Sequence, residues 1–177
     1  MGEPISFETV TEVWQQMSQT PLQQVDRLIH QMHREQPYFA DYLLTQGMGI
    51  FNHQERETVF YIGIVVWQIM KQGEIRPGRV TRKQLLDAEN ANYAFLEQLS
   101  EDTEGDFVSA TLAMLENHTE REVFRFIIEA LMEKDGPDQE NPAIRDENRG
   151  LAFLVLKTAL DSLAASRKPP RKPKSQI

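Results

Sequence analysis

The 177-residue sequence contains no cysteine, which excludes disulfide bonds, thiolate metal sites and cysteine nucleophiles. It also lacks a long apolar segment, because the longest run, from Val59 to Met70, falls short of the roughly 20 residues that cross a membrane. The first 20 residues carry three glutamates where a secretory signal has a basic start. These absences predict a soluble, cytoplasmic protein.

Charge is distributed unevenly along the chain. The formal net charge is −8, but the first 166 residues carry 14 basic against 27 acidic side chains, a net −13. An acidic body repels nucleic acid, so only the last residues could bind a polyanion. These residues could also engage an acidic protein or a module that recognises proline-rich segments. That segment is rich in proline and has five basic residues that we predict to bind a partner: Arg167, Lys168, Arg171, Lys172 and Lys174.

Apolar residues recur at helical spacing along most of the chain, and capping signals mark where helices begin. Ser6 precedes the first apolar stripe as an N-cap. Four later segments have the spacing of a capping box, in which the third residue after the cap is Glu or Gln. They begin at Thr20, Asn52, Thr81 and Asn117.

The segment from Val59 to Trp67 gives a conflicting signal. Its β-branched and aromatic residues favour a buried strand by propensity alone. A single strand would have no partner for its backbone groups in an otherwise helical chain. We therefore predict that this segment is a helix.

The predicted fold class is all-α: a compact bundle of about seven or eight helices. Residues 1–166 form one domain, and residues 167–177 are a disordered, basic, proline-rich tail. An internal duplication is predicted as well, with pseudo-repeats 20–72 and 81–134. Each repeat contains a threonine box followed by the sequence Asn-His-x-Glu-Arg-Glu.

This repeated motif is the one constellation in the sequence that could carry chemistry. A metal-dependent helical-bundle enzyme could use four of its side chains, since histidine and glutamate four residues apart share a helix face. They are His53, Glu57, His118 and Glu122. The simpler interpretation is that Asn caps each helix, Glu55 and Glu120 close the boxes, and the histidines occupy the first helical positions near solvent.

Other possible ligand sets have weaker patterns. His30 and His33 lie three residues apart on one predicted helix, without further ligands nearby in sequence. The acidic residues after position 134 lack the ligand order of a calcium loop: Asp135, Asp138, Glu140, Asp146 and Glu147. The sequence therefore predicts no cofactor, no catalytic residue and no metal ligand.

Three functions remain open on the sequence alone. The first is a non-enzymatic protein-interaction or adaptor module whose acidic body or basic tail contacts another macromolecule, most simply a protein. The alternative is the metal-dependent enzyme built on the two histidine motifs. The third is a homo-oligomer whose function is assembly, which an exposed apolar patch would indicate.

Overall fold

The computed structural model describes residues 2–100, 104–132 and 143–168, and within these ranges the regular structure is helical. A single 3-10 turn, Asp146–Asn148, precedes the last helix. The helices are α1 (Phe7–Ser18), α2 (Leu22–Glu35), α3 (Pro37–Thr45), α4 (His53–Met70), α5 (Arg82–Ser100), α6 (Glu104–Asn117), α7 (Arg121–Met132) and α8 (Arg149–Ala165). The predicted all-α fold class and the helix count are confirmed.

Helix α8 lies at the centre of the bundle. It packs against α3, α4, α5 and α7, and α1 lies across α4 and α7. The second half of α4 is buried almost continuously from Ile62 to Met70. This burial explains the strand-like composition of that segment, because β-branched side chains fill a core whichever backbone carries them. The helix predicted over Val59 to Trp67 is confirmed.

Local capping chemistry begins several of the helices as the sequence predicts. The amide of Thr9 donates to the hydroxyl of Ser6. Asn52 and Glu55 form a complete capping box, with distances of 2.8 and 2.9 Å. Thr81 and its third neighbour exchange the same pair of hydrogen bonds. These caps satisfy amides that have no partner inside the helix.

Two of the predicted boxes are wrong. The hydroxyl of Thr20 donates back to the carbonyl of Gln16, and Pro21 is the residue before α2 without a side-chain cap. The side-chain amide of Asn117 donates to the carbonyl of Ala113 within α6, and Asn117 ends that helix. Both side chains are used at the end of the preceding helix, so they are not available to start the next one.

A glycine lets α3 and α4 approach closely. A Cβ on Gly63 would lie 2.5 Å from one terminal methyl of Leu43 and 2.8 Å from the other. Leu43 is buried, so it has little space to move away. The turn between the same two helices uses Gly47 and Gly49 with positive φ, as their positions predict.

The chain remains attached to the fold beyond α8. The amide of Gly78 donates to the carbonyl of Ser166 at 3.1 Å, and Arg167 forms an isolated β-bridge with Pro77. The guanidinium of Arg167 also pairs with Glu120, a residue that is 1% exposed. The prediction that a free tail begins at Arg167 is therefore wrong at that residue, because a buried carboxylate holds its side chain. Residues 169–177 lie outside the described part.

The internal duplication is not confirmed. In the first predicted repeat the asparagine motif forms a capping box, whereas in the second repeat it does not. Both motifs nevertheless share one property. Glu55 and Glu120 are fully buried, and each pairs with an arginine from later in the chain.

Candidate functional site: the groove between α1 and α7

The first histidine motif lies at the surface, at the start of α4. His53 pairs with Glu57 at 2.9 Å, and both side chains are more than half exposed. Glu55 points the other way and is buried. The simpler interpretation of this motif is confirmed, because Glu55 closes the capping box while His53 occupies the first helical position in solvent.

Glu55 does more than close the box. It accepts hydrogen bonds from the backbone amide and the guanidinium of Arg145, with Nε at 2.8 Å, and from the side-chain amide of Asn148 at 2.9 Å. The hydrogen bonds from Arg145 lower the pKa of Glu55 to about 2, although burial alone would raise it. One carboxylate therefore fixes the segment that leads into α8 against the start of α4.

In the second histidine motif the side chain of His118 is only 9% exposed, which the simpler interpretation did not predict. Nδ1 of His118 accepts the backbone N–H of Glu120 at 2.9 Å, so the ring proton lies on Nε2 and is donated to Asp161 at 2.7 Å. The ring stacks on Phe124 with centroids 5.1 Å apart. His118 thus serves the start of α7 with both nitrogens bonded, and neither is free for acid–base catalysis.

A buried polar network continues from His118 along α8. The ammonium of Lys157 lies 2.7 Å from Asp161 and 2.8 Å from the side-chain oxygen of Asn92. The side-chain amide of Asn92 donates in turn to the hydroxyl of Thr158 at 3.0 Å. Burial alone would raise the pKa of Asp161, but the hydrogen bond from His118 and the charge of Lys157 hold it below its ordinary value. The network joins α5, α8 and the start of α7.

The sequence contains only a weak signal for this network, and we did not predict it. The signal is the pair Lys157 and Asp161, four residues apart, which are the charged residues of α8 after Arg149. Such pairs are common on solvent-facing helix surfaces, so the pair alone does not predict that its charges are buried. That prediction requires a third polar residue that bonds to them. That residue is Asn92 on α5, 65 residues from Lys157 in sequence.

The metal-site hypothesis loses its geometric basis. Among the described residues, no three histidine or acidic side chains come close enough to hold a metal ion. His53 pairs with Glu57 at the surface, His118 is enclosed with Asp161, and Glu122 pairs with Arg125 at 3.2 Å.

The weaker ligand candidates do not come together either. Nδ1 of His30 lies 2.8 Å from the carbonyl of Asp26, and His33 lies in the last turn of α2. Asp146 pairs with Arg149, and Glu147 pairs with Arg145. The remaining acidic residues of that set lie outside the described residues: Asp135, Asp138 and Glu140.

The surface feature that stands out is a groove of about 490 Å³ between α1 and α7. Its floor is formed by Val10 and Phe126, which are buried, and by Trp14 and Ala130, which are partly exposed. The rings of Trp14 and Phe126 lie 5.4 Å apart. A floor of this kind gives a ligand apolar area to cover.

Exposed apolar side chains flank the floor. Phe7, the first residue of α1, is 56% exposed, and Met132, the last residue of α7, is 59% exposed. Full burial of a side chain of this size contributes roughly 1.5–3 kcal/mol, so a partner that covers the exposed part would gain about half of that from each. The polar part of the rim is formed by Thr11, Glu122, Arg125 and Glu129.

A second groove, of about 430 Å³, adjoins the first. The two share Trp14 and Ala130, and the second continues to Tyr61 on α4. The ring of Tyr61 lies 6.5 Å from that of Trp14. Trp14 packs against the core with part of its surface and stands between two openings of one trough. Trp67, by contrast, is 1% exposed and lies wholly within the core.

The walls of the trough are fixed by one buried carboxylate. Glu120, just before α7, accepts the backbone N–H of Ile5, just before α1, at 3.0 Å, and it also holds the guanidinium of Arg167. The starts of α1 and α7 are thus tied to one another. The trough is a preformed feature of the fold.

Of the five predicted partner-binding residues, two lie in the described part of the chain. Arg167 is held by Glu120 and lies beside the sulfur of Met70, whereas Lys168 is exposed. The other three, Arg171, Lys172 and Lys174, lie outside it. Within the described residues, no helix is both long enough and apolar enough to cross a membrane.

Comparison with known proteins adds no further assignment. The chain matches no model of a protein family, no curated protein and no solved structure.

Proposed function

We propose that the chain is a non-enzymatic protein-interaction module that receives a partner in the groove between α1 and α7. The observation that carries this proposal is the contrast between two regions. The groove exposes the rings of Phe7 and Trp14, whereas the titratable groups of the buried polar network are bonded to one another within the protein. These are His118, Lys157 and Asp161.

The contrast favours binding over catalysis on chemical grounds. A general base needs a free nitrogen or oxygen within reach of substrate, and both nitrogens of His118 are bonded to protein atoms. Lys157 is 7% exposed and its ammonium is held by two oxygens. Binding at the groove needs no such group, because burial of apolar side chains supplies the free energy.

The basic tail is a second part of the proposal, without Arg167. Its four remaining cations would strengthen contact with an acidic partner through charge alone. A shortened chain that tests this role should keep residues 1–168 and lack residues 169–177. Removal of Arg167 as well would leave the buried carboxylate of Glu120 without its cation. An electrostatic role predicts that the partner is lost from the shortened chain and also from the full chain at high salt. A partner that the full chain keeps at high salt, but that the shortened chain loses, would contradict this role.

Site-specific crosslinking tests the groove, because the absence of cysteine allows one to be introduced alone. A Met132→Cys variant carrying a photoreactive group places the probe at the rim. A Leu22→Cys variant is the control, because Leu22 is 85% exposed at the start of α2 and does not line the groove. We expect the Met132 probe to capture a protein from the native host's lysate that the Leu22 probe does not.

The captured protein should then depend on the groove itself. Phe7→Glu adds a charge at the rim, and the first turn of a helix tolerates an acid well. Leu22→Glu makes the same change at the first residue of α2. Loss of the crosslink with Phe7→Glu alone supports the proposal, whereas an equal effect of both changes, or capture of the same proteins by both probes, overturns it.

A further inference from the structure

The trough between α1, α4 and α7 has walls made of helices. The backbone amides and carbonyls within α1 and α7 are bonded inside their own helices. The walls therefore offer few free hydrogen-bonding groups to the backbone of a ligand. An extended segment buried there would leave its own amides and carbonyls without partners, at a cost of roughly 1–3 kcal/mol each. A helix satisfies these groups internally. The walls therefore favour a helical ligand.

The dimensions of the trough agree with a helix of moderate length. From Glu122 to Ala130 the wall of α7 rises by roughly 12 Å, at about 1.5 Å per residue. The second opening continues beyond Trp14 toward Tyr61, whose ring lies another 6.5 Å away. A helix of about 12 residues would span both openings. Its apolar side chains would lie on either side of Trp14.

The charges that line the trough are mostly negative. The two openings are lined by three acidic residues, Glu57, Glu122 and Glu129, and by one basic residue, Arg125. Arg125 is already paired with Glu122, so these two charges largely cancel and the carboxylates of Glu57 and Glu129 remain. Glu57 also contacts His53 at the surface, but its side chain is 67% exposed and open to a ligand. Helix α1, which forms the other wall, contributes no basic residue to the lining. A ligand with basic residues beside its apolar face would complement these walls.

We infer that the partner segment is a basic amphipathic helix, which lays its apolar face over Trp14 and Phe126 and its lysine or arginine side chains against Glu57 and Glu129. This inference rests on the proposed function and adds the chemistry of the partner. The last residues of this chain are also basic, but their sequence contains three prolines, which are unfavourable inside a helix, so it does not match the partner inferred here.

A selection experiment tests the inference without a known partner. A library of 14-residue helical peptides with random charges on the polar face is displayed on phage and selected on the full-length protein. Enriched peptides are synthesised with a fluorescent label, and their affinity is measured by anisotropy. We expect enriched peptides to carry a net positive charge and to be helical when bound, as circular dichroism of the complex would show.

Variants of the protein locate the binding and test the role of charge. Phe7→Glu should abolish binding, whereas Leu22→Glu should leave it unchanged. The double variant Glu57→Lys/Glu129→Lys should weaken the selected peptides by roughly 3- to 10-fold, which is typical of two exposed ion pairs. The control Asp26→Lys changes the charge of α2 outside the trough and should leave the affinity within about twofold.

The outcomes distinguish the two levels of the proposal. Peptides that need Phe7 but are neutral or acidic, or that bind the double Lys variant equally well, overturn the basic partner and leave the groove as an interaction site. Peptides that ignore Phe7→Glu, or a selection that enriches none, overturn both. A complex containing a second copy of this chain through the same groove, seen by sedimentation, overturns the basic helix as occupant as well.

Discussion

The buried carboxylate of Glu55 leads to a quantitative prediction about stability. Its side chain is 0% exposed, and its pKa is lowered to about 2 from an ordinary value of 4.5. One pKa unit corresponds to about 1.4 kcal/mol, so this difference amounts to about 3 kcal/mol at neutral pH. The partner Arg145 has a side chain that is 45% exposed, and solvent screens its charge. We therefore expect a contribution of about 2 kcal/mol.

The variant Glu55→Gln keeps the size of the side chain and removes its charge. We expect it to lower the free energy of unfolding by about 2 kcal/mol at pH 7, which corresponds to a fall in Tm of roughly 4–8 °C for a chain of this size. The control is Glu57→Gln, two residues along the same helix. Its side chain is 67% exposed, and we expect a change under about 0.5 kcal/mol.

The pH dependence provides an independent check on the cause. A carboxylate with a lowered pKa stabilises the fold fully above its unfolded value, and this stabilisation is lost as the pH falls through the folded value. For Glu55 the window runs from about pH 5 down to about pH 2. Urea unfolding of both proteins across this window should converge as the pH falls. A constant difference between them, or equal stability at pH 7, would refute the assignment of this stabilisation to the ionised carboxylate.

Three further substitutions and one double variant test the buried network and the packing around two glycines. Asp161→Ala should lower the free energy of unfolding by roughly 3 kcal/mol, because it leaves the buried ammonium of Lys157 without its counter-ion. A double variant that also carries Lys157→Met should be less destabilised than the sum of the two single changes. Strict additivity in urea unfolding would count against the network. Gly63→Ala should destabilise by about 1–2 kcal/mol through its clash with Leu43, whereas Gly150→Ala, where a Cβ meets open space within α8, should stabilise by about 0.5–1 kcal/mol. Thermal unfolding measures the Tm of the two glycine-to-alanine variants. A shift of both Tm values in the same direction would contradict the different packing around the two glycines.

The fold could be predicted from the sequence because most helix boundaries depend on local chemistry. Asn52 and Thr81 begin their helices with the boxes that their spacing predicts. The failures at Thr20 and Asn117 have a common cause. A polar side chain between two helices can bond to the end of one or to the start of the next, and the local sequence does not determine which.

The buried polar contacts and the groove could not be predicted, because both depend on residues far apart in sequence. Glu55 bonds to a residue 90 positions away, and Asn92 to Thr158, 66 positions away. The sequence identifies these residues as polar but contains no local signal for their partners. Trp14 shows the same limit for apolar residues. Its position in a helical stripe predicts contact with the core, yet whether α7 covers it completely depends on how two distant helices cross.

The two buried glutamates connect the stability of the fold with its proposed function. Each one gathers a backbone amide and an arginine from a distant segment onto a single carboxylate at the start of a helix. Glu120 thereby fixes the starts of α1 and α7, which form the walls of the trough. Because these walls are ordered before a partner arrives, little conformational entropy is lost from this side on binding. For a partner that is unfolded when free, the free energy of apolar burial would then offset the entropy lost when it orders into a helix.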